Sequence, residues 1–175
     1  MNELLKNEKS GWEEVSQEEK DKIYAFSNEY MNFLNNAKTE REIIKETEKI
    51  ARENGFKSLD EYAELYPGDK VYYINRAKNI YLAVIGEASL ESGINIVGAH
   101  ADSPRLDLKP NPLYQEGNLA YLKTHYYGGI KKYQWTTIPL AIHGVIIKEN
   151  GEKLYVSLGE NHDEPVFTIS DLLPH

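Results

Sequence analysis

The chain contains no cysteine. Disulfides and thiolate zinc sites are therefore excluded, and any bound metal must be held by His, Asp or Glu. No apolar run is long enough to cross a bilayer, so no membrane association is expected. The opening Met1-Asn2-Glu3-Leu4-Leu5-Lys6 lacks the apolar core of a secretory leader, and the cytoplasm is the expected location. Basic charge is also scarce. Lys and Arg number 20 against 28 Asp and Glu, a net charge of −8. Such a surface repels phosphate backbones, and no basic stripe offsets it, so nucleic acid is not an expected partner. Internal repeats and low-complexity segments are absent too. What remains is 175 residues, 41% apolar and 27% charged, enough for a globular domain with a core. The chain stops in an apolar pattern at Asp171-Leu172-Leu173-Pro174-His175, where C-termini are ordinarily polar; it reads as the N-terminal part of a larger protein.

Three capping boxes punctuate the first third: Ser16-Gln17-Glu18-Glu19, Thr39-Glu40-Arg41-Glu42 and Ser58-Leu59-Asp60-Glu61. The first should open a helix to about Asn35, with Ile23, Phe26, Tyr30, Phe33 and Leu34 on one face. The second should open another, with Ile43, Ile44, Thr47, Ile50 and Ala51 as its stripe and Gly55 as its stop. These stripes read as core faces rather than binding surfaces. The third box predicts a short helix before the turn at Pro67-Gly68-Asp69. From Val71 the period changes. Val71 to Asn75 and Ile80 to Ile85 predict a hairpin across Arg76-Ala77-Lys78-Asn79. Beyond Pro110 no helical stretch appears. Strands are expected at Leu119 to Tyr126, Thr136 to Lys148, Lys153 to Leu158 and from Val166, with Asn150-Gly151 as a tight turn. The chain divides accordingly into an α/β unit with a mixed sheet over residues 1–109 and an all-β unit over residues 110–175.

One stretch carries chemistry. Ile94 to Ala99 is apolar and β-branched, and reads as a strand buried on both faces. Gly98 would permit close backbone approach, and Pro104 turns the chain out of the strand. His100 and Asp102, two residues apart, should project to the same side at the strand's end, where open α/β sheets place ligands. A His beside a carboxylate is a common way to hold a metal. The plainer alternative makes Asp102 a turn-starting residue and His100 a hydrogen-bonded strand end.

The wider stretch Val97-Gly98-Ala99-His100-Ala101-Asp102-Ser103-Pro104-Arg105-Leu106-Asp107-Leu108-Lys109-Pro110 resembles the first metal motif of the aspartyl aminopeptidase family, and in particular its bacterial branch of probable aminopeptidases. The similarity continues through Tyr126-Tyr127-Gly128-Gly129-Ile130-Lys131-Lys132-Tyr133-Gln134-Trp135 and Ile169-Ser170-Asp171-Leu172-Leu173-Pro174-His175. The resemblance implies a zinc-exopeptidase catalytic domain interrupted by a β-rich dimerisation domain, each present here in part. It implies two zinc ions per active site in the full-length protein, which activate a water against a peptide bond. It implies His100 as a zinc ligand and Asp102 as the catalytic-site carboxylate that orients it. His175 would reach a neighbouring subunit's site and contact substrate. Peptide substrates are implied, with homo-oligomers built from dimers into a closed particle. The remaining ligands and the general base lie in later motifs, so residues 1–175 alone should show no peptidase activity. Thr137-Ile138-Pro139 replaces an Asp-Arg-Asp run of the eukaryotic-type members, which argues against a preference for acidic N-terminal residues.

The other histidines read plainly. His125 is expected on a solvent or interface side, His143 as a hydrogen-bonded core residue, and His162 as solvated in an acidic loop. Lys131-Lys132-Tyr133-Gln134-Trp135 suits a subunit interface better than nucleic acid. Two other functions fit the same residues: a non-catalytic α/β scaffold with a β-rich association module, and a deacylase built on the same frame.

Overall fold

The computed structural model describes residues 9–172. Two of the capping boxes start full helices. The Ser16 hydroxyl accepts the Glu19 N–H, the Glu19 carboxylate accepts the Ser16 N–H, and α1 runs over Gln17–Asn36. Thr39 and Glu42 repeat the exchange ahead of α2, Glu40–Glu53. The third box yields only one turn of 3-10 helix, Leu59–Glu61, because Tyr62 returns to extended backbone. The stripe of α2 is a true core face: Ile44 and Ala51 are buried together with Ala37, Val71 and Tyr72. That of α1 is not. Phe26 is 71% exposed, and α1 packs against α2 alone among the described elements it touches closely.

The first sheet is mixed, as expected. β1 (Lys57–Ser58) pairs parallel with β2 (Lys70–Asn75), which pairs antiparallel with β3 (Asn79–Val84). The β2–β3 turn places Arg76 and Ala77 at φ 53° and 55°. Side chains resist that left-handed region by about 1–2 kcal/mol per residue. Tyr72 fastens the sheet to α2: its hydroxyl donates to Glu48 at 2.9 Å, and the Arg52 guanidinium lies 5.1 Å from the ring centre.

Two antiparallel hairpins follow. β4 (Arg105–Glu116) pairs with β5 (Leu119–Tyr127). Their register shifts between Leu108 and Leu113, around Pro110 and Pro112, which have no N–H to give a ladder. β6 (Ile142–Ile147) pairs with β7 (Lys153–Leu158) across the Asn150-Gly151 turn. The expected run from Thr136 becomes a strand only at Ile142. A 3-10 turn at Lys132–Trp135 precedes it, and Thr136 and Leu140 make only single bridges, to Ile169 and Phe167. The polar loop after β7 is ordered by Glu164, whose carboxylate collects the N–H groups of Gly159, Glu160 and Asn161. The Asn161 side-chain amide and these N–H groups hold its pKa down at about 2.

The central strand expected over Ile94–Ala99 does not form. Residues 93–104 have no ladder hydrogen bonds, Val97 is fully exposed and Ile96 is 78% exposed. A strand needs a neighbour to saturate its backbone, and no described strand pairs with this segment. Gly98 likewise meets nothing: a Cβ there would face open space. The total exposed surface, 15117 Å², compares with roughly 8,700 Å² for a closed globule of this mass. Large apolar faces of α1, β3 and the segment before His100 are therefore uncovered.

Candidate metal centre

His100 and Asp102 stand together just before β4, as their spacing suggested. The His100 Nδ1 lies 2.8 Å from the Asp102 backbone carbonyl and 3.1 Å from the Asp102 Oδ1. A carbonyl oxygen can only accept, so Nδ1 carries the proton and donates. Nε2 then bears a free lone pair. The ring is largely exposed, and that nitrogen is the one left for a cation, with the carboxylate fixing ring and tautomer from behind.

Asp102 is itself held. The Tyr127 hydroxyl, from the end of β5, donates to its Oδ2 at 2.9 Å. That bond, the Asp102 N–H and the neighbouring imidazole all favour the ionised carboxylate, whose pKa falls below the ordinary range. The same bond raises the Tyr127 phenol. Behind Tyr127 sits half-buried Arg105, its guanidinium 4.1 Å from the ring centre. Arg105 is anchored by Glu40 at 3.0 Å, from the first turn of α2, and by Asp107 at 2.7 Å. Burial works against its charge, but the two carboxylates prevail and its pKa rises. The His100 loop is thus tied to both β5 and α2. Gly128 completes the seat: at φ 75° it ends β5 and packs on Pro104, whose Cα would lie 3.4 Å from an added Cβ.

Among the described residues no cluster of three or more His, Asp or Glu could hold a metal. The donor set suits zinc in part: one imidazole with its orienting carboxylate, and no thiolate. His175 lies outside the described residues. His125 is exposed and stacks on Tyr126, and His162 is exposed. His143 is mostly buried and doubly hydrogen-bonded, Nδ1 to Glu42 at 2.8 Å and Nε2 to Glu160 at 2.7 Å. Sequence reasoning missed Tyr127, Arg105 and Glu40. Tyr127 meets Asp102 from 25 positions away and Arg105 meets Glu40 across the fold, and no short-range pattern marks either pairing.

The chain is similar to proteins of one family. The model of the Aminopeptidase I zinc metalloprotease (M18) family matches residues 33–175. A protein of Clostridium acetobutylicum named "Probable M18 family aminopeptidase 1" is 47% identical over 178 residues, covering 99% of this chain. One of the same name from Thermotoga maritima is 50% identical over 156 residues, 89% of this chain. The chain spans only 38% and 34% of these two relatives. The crystal structure of aminopeptidase I from Borrelia burgdorferi B31 superposes with a TM-score of 0.88 at 44% identity, over 95% of this chain and 41% of that one. The segment around His100 and Asp102 lies inside all of these matches, and the chain belongs to the M18 family of aminopeptidase I zinc metalloproteases.

Proposed function

We propose that this chain is the N-terminal part of a zinc-dependent aminopeptidase that removes residues from the N-termini of peptides. One observation carries the assignment: the His100 imidazole is locked by Asp102 in the tautomer that offers Nε2 to a cation. His100 is the zinc ligand, and Asp102 is the catalytic-site carboxylate that orients it. Zinc held there, as two ions in the full-length protein, would supply Lewis acidity toward a water and the scissile carbonyl. The task of this chain's residues is positional. Asp102 keeps the proton on Nδ1, Tyr127 keeps Asp102 ionised and aimed, and Arg105 with Glu40 keeps Tyr127 in place. The other ligands and the base belong to segments beyond residue 175.

The β-rich stretch from residue 110, which takes in the second half of β4 and all of β5, β6 and β7, serves as the first part of a β-rich dimerisation unit inserted in the catalytic domain. Its exposed apolar residues outside the recess described below, among them Leu113, Leu119, Tyr126 and Ile146, support an association role. On that reading His175 contacts substrate in a neighbouring subunit, dimers build a larger closed particle, and the protein works in the cytoplasm. The test is release of N-terminal residues from short peptides by the full-length protein, with zinc content measured in parallel. Turnover should require zinc and should fall at least about 100-fold in His100→Ala. Full activity and full zinc content in that variant would remove the assignment.

A further inference from the structure

A recess lies at the N-terminal end of α2, beside the buried Ile44. Arg41, Arg76, Ala77, Val145, Ile147, Lys153 and Tyr155 line this recess of about 330 Å³ where α2, the β2–β3 turn and the β6–β7 hairpin meet. Three cations from three elements face it, and no carboxylate lines it. In a chain of net charge −8 this requires explanation.

The carboxylates nearest in sequence are all engaged elsewhere. Glu40 and Glu42 flank Arg41, but Glu40 pairs with Arg105 and Glu42 with His143. Glu152 precedes Lys153, but it pairs with Lys148 at 3.0 Å. Among the described residues, Arg41, Arg76 and Lys153 have no salt-bridge partner. Arg41 also sits in the first turn of α2, where the helix dipole disfavours a cation. Its Nη1 donates to the Arg76 carbonyl at 3.1 Å, so the side chain is held toward the recess rather than released to solvent. Arg76 and Ala77 occupy left-handed positions that Asn and Gly fill at less cost. Two local rules are thus broken around one cavity. Such departures concentrate at functional sites.

We propose that this recess binds a small phosphate-bearing anion. Two guanidinium forks and an ammonium suit a compact group with several charges; a single carboxylate would leave most of the positive charge unbalanced. The volume is near the lower end for small-molecule sites, and Val145, Ile147 and Tyr155 provide an apolar wall for the organic part of an ester. The site is independent of the peptidase chemistry.

The test uses full-length protein stripped of metal, so that no zinc competes, titrated calorimetrically at low salt with inorganic pyrophosphate and, separately, with AMP. Both probes should bind. The exposed Arg76→Gln and Lys153→Gln changes together should weaken binding about tenfold or more. Among the described residues neither side chain makes a hydrogen bond or an ion pair, and the Arg76 carbonyl still accepts from Arg41. Lys78→Gln, on the same turn but outside the recess, should leave affinity unchanged. AMP tighter than pyrophosphate would assign an ester with a ring on the apolar wall; pyrophosphate tighter than AMP would assign an inorganic polyphosphate. Absence of binding overturns the proposal. So does equal weakening by Lys78→Gln, or binding of an acidic peptide where pyrophosphate fails, which would mark a protein-docking surface instead.

Discussion

The hydroxyl of Tyr127 donates to Asp102 across 2.9 Å, although 25 residues separate them. The bond joins the last residue of β5 to the loop that presents His100, so one hairpin positions the carboxylate that holds the His100 ring. Tyr127→Phe removes the donor and keeps the ring over Arg105. It should lower zinc affinity of the full-length protein about 10- to 100-fold, with a parallel fall in kcat. Chelator competition gives the first number and peptide turnover the second. Unchanged zinc affinity would show that Asp102 needs no such support.

Much of this was written locally. Capping boxes at Ser16 and Thr39 place both helix starts, Asn150-Gly151 places its turn, and His100 and Asp102 are as close as their spacing promised. What depended on distant partners was not legible. The run Ile94–Ala99 has the composition of a buried strand, but composition cannot supply the neighbouring strands that would pair it, and it stands exposed. β4 was hidden by Pro110 and Pro112, which argue against a strand unless a bulge absorbs them, and a bulge does. The hydroxyl of Tyr127 and the guanidinium of Arg105 reach the site only through folding.

Thr39 starts α2, which carries both the Glu40 anchor of Arg105 and the buried Ile44. Thr39→Ala removes the hydroxyl that accepts the Glu42 N–H and should cost about 1 kcal/mol. Ile44→Ala, in the core beneath it, should cost about 2–5 kcal/mol. Denaturant midpoints of the full-length protein check both. Equal losses would mean that the core near α2 is not where burial places it.

Gly128 at φ 75° has space for a methyl group against Pro104 but not the backbone freedom for one. Gly128→Ala should therefore lose about 1–2 kcal/mol through backbone strain rather than collision. Pro104 is two residues from Asp102, so zinc affinity should fall as well. Gly128→Asn, which tolerates the left-handed region better, should recover most of the stability. Equal damage from both substitutions would point to crowding instead.

His143 joins three elements by holding Glu42 of α2 and Glu160 of the loop after β7 from its place in β6. Burial alone would push its pKa down, but the hydrogen bonds and charges of the two carboxylates outweigh this and raise it. Stability from the charged imidazole is therefore fully present below its ordinary value of 6.5 and is lost as pH rises through the raised one. Glu42 behaves oppositely. Burial raises it, yet His143, Thr39 and the Lys38 N–H bring it below 4.5, so its share is present above 4.5 and lost as pH falls through the lowered value. The clasp is strongest between these limits. His143→Gln keeps size and some hydrogen bonding but no charge. Its deficit in melting temperature should be greatest near about pH 5.5, and should shrink as pH rises through the raised value and the native imidazole loses its charge. A deficit that stays constant across that range would mean that His143 serves by packing and neutral hydrogen bonds alone.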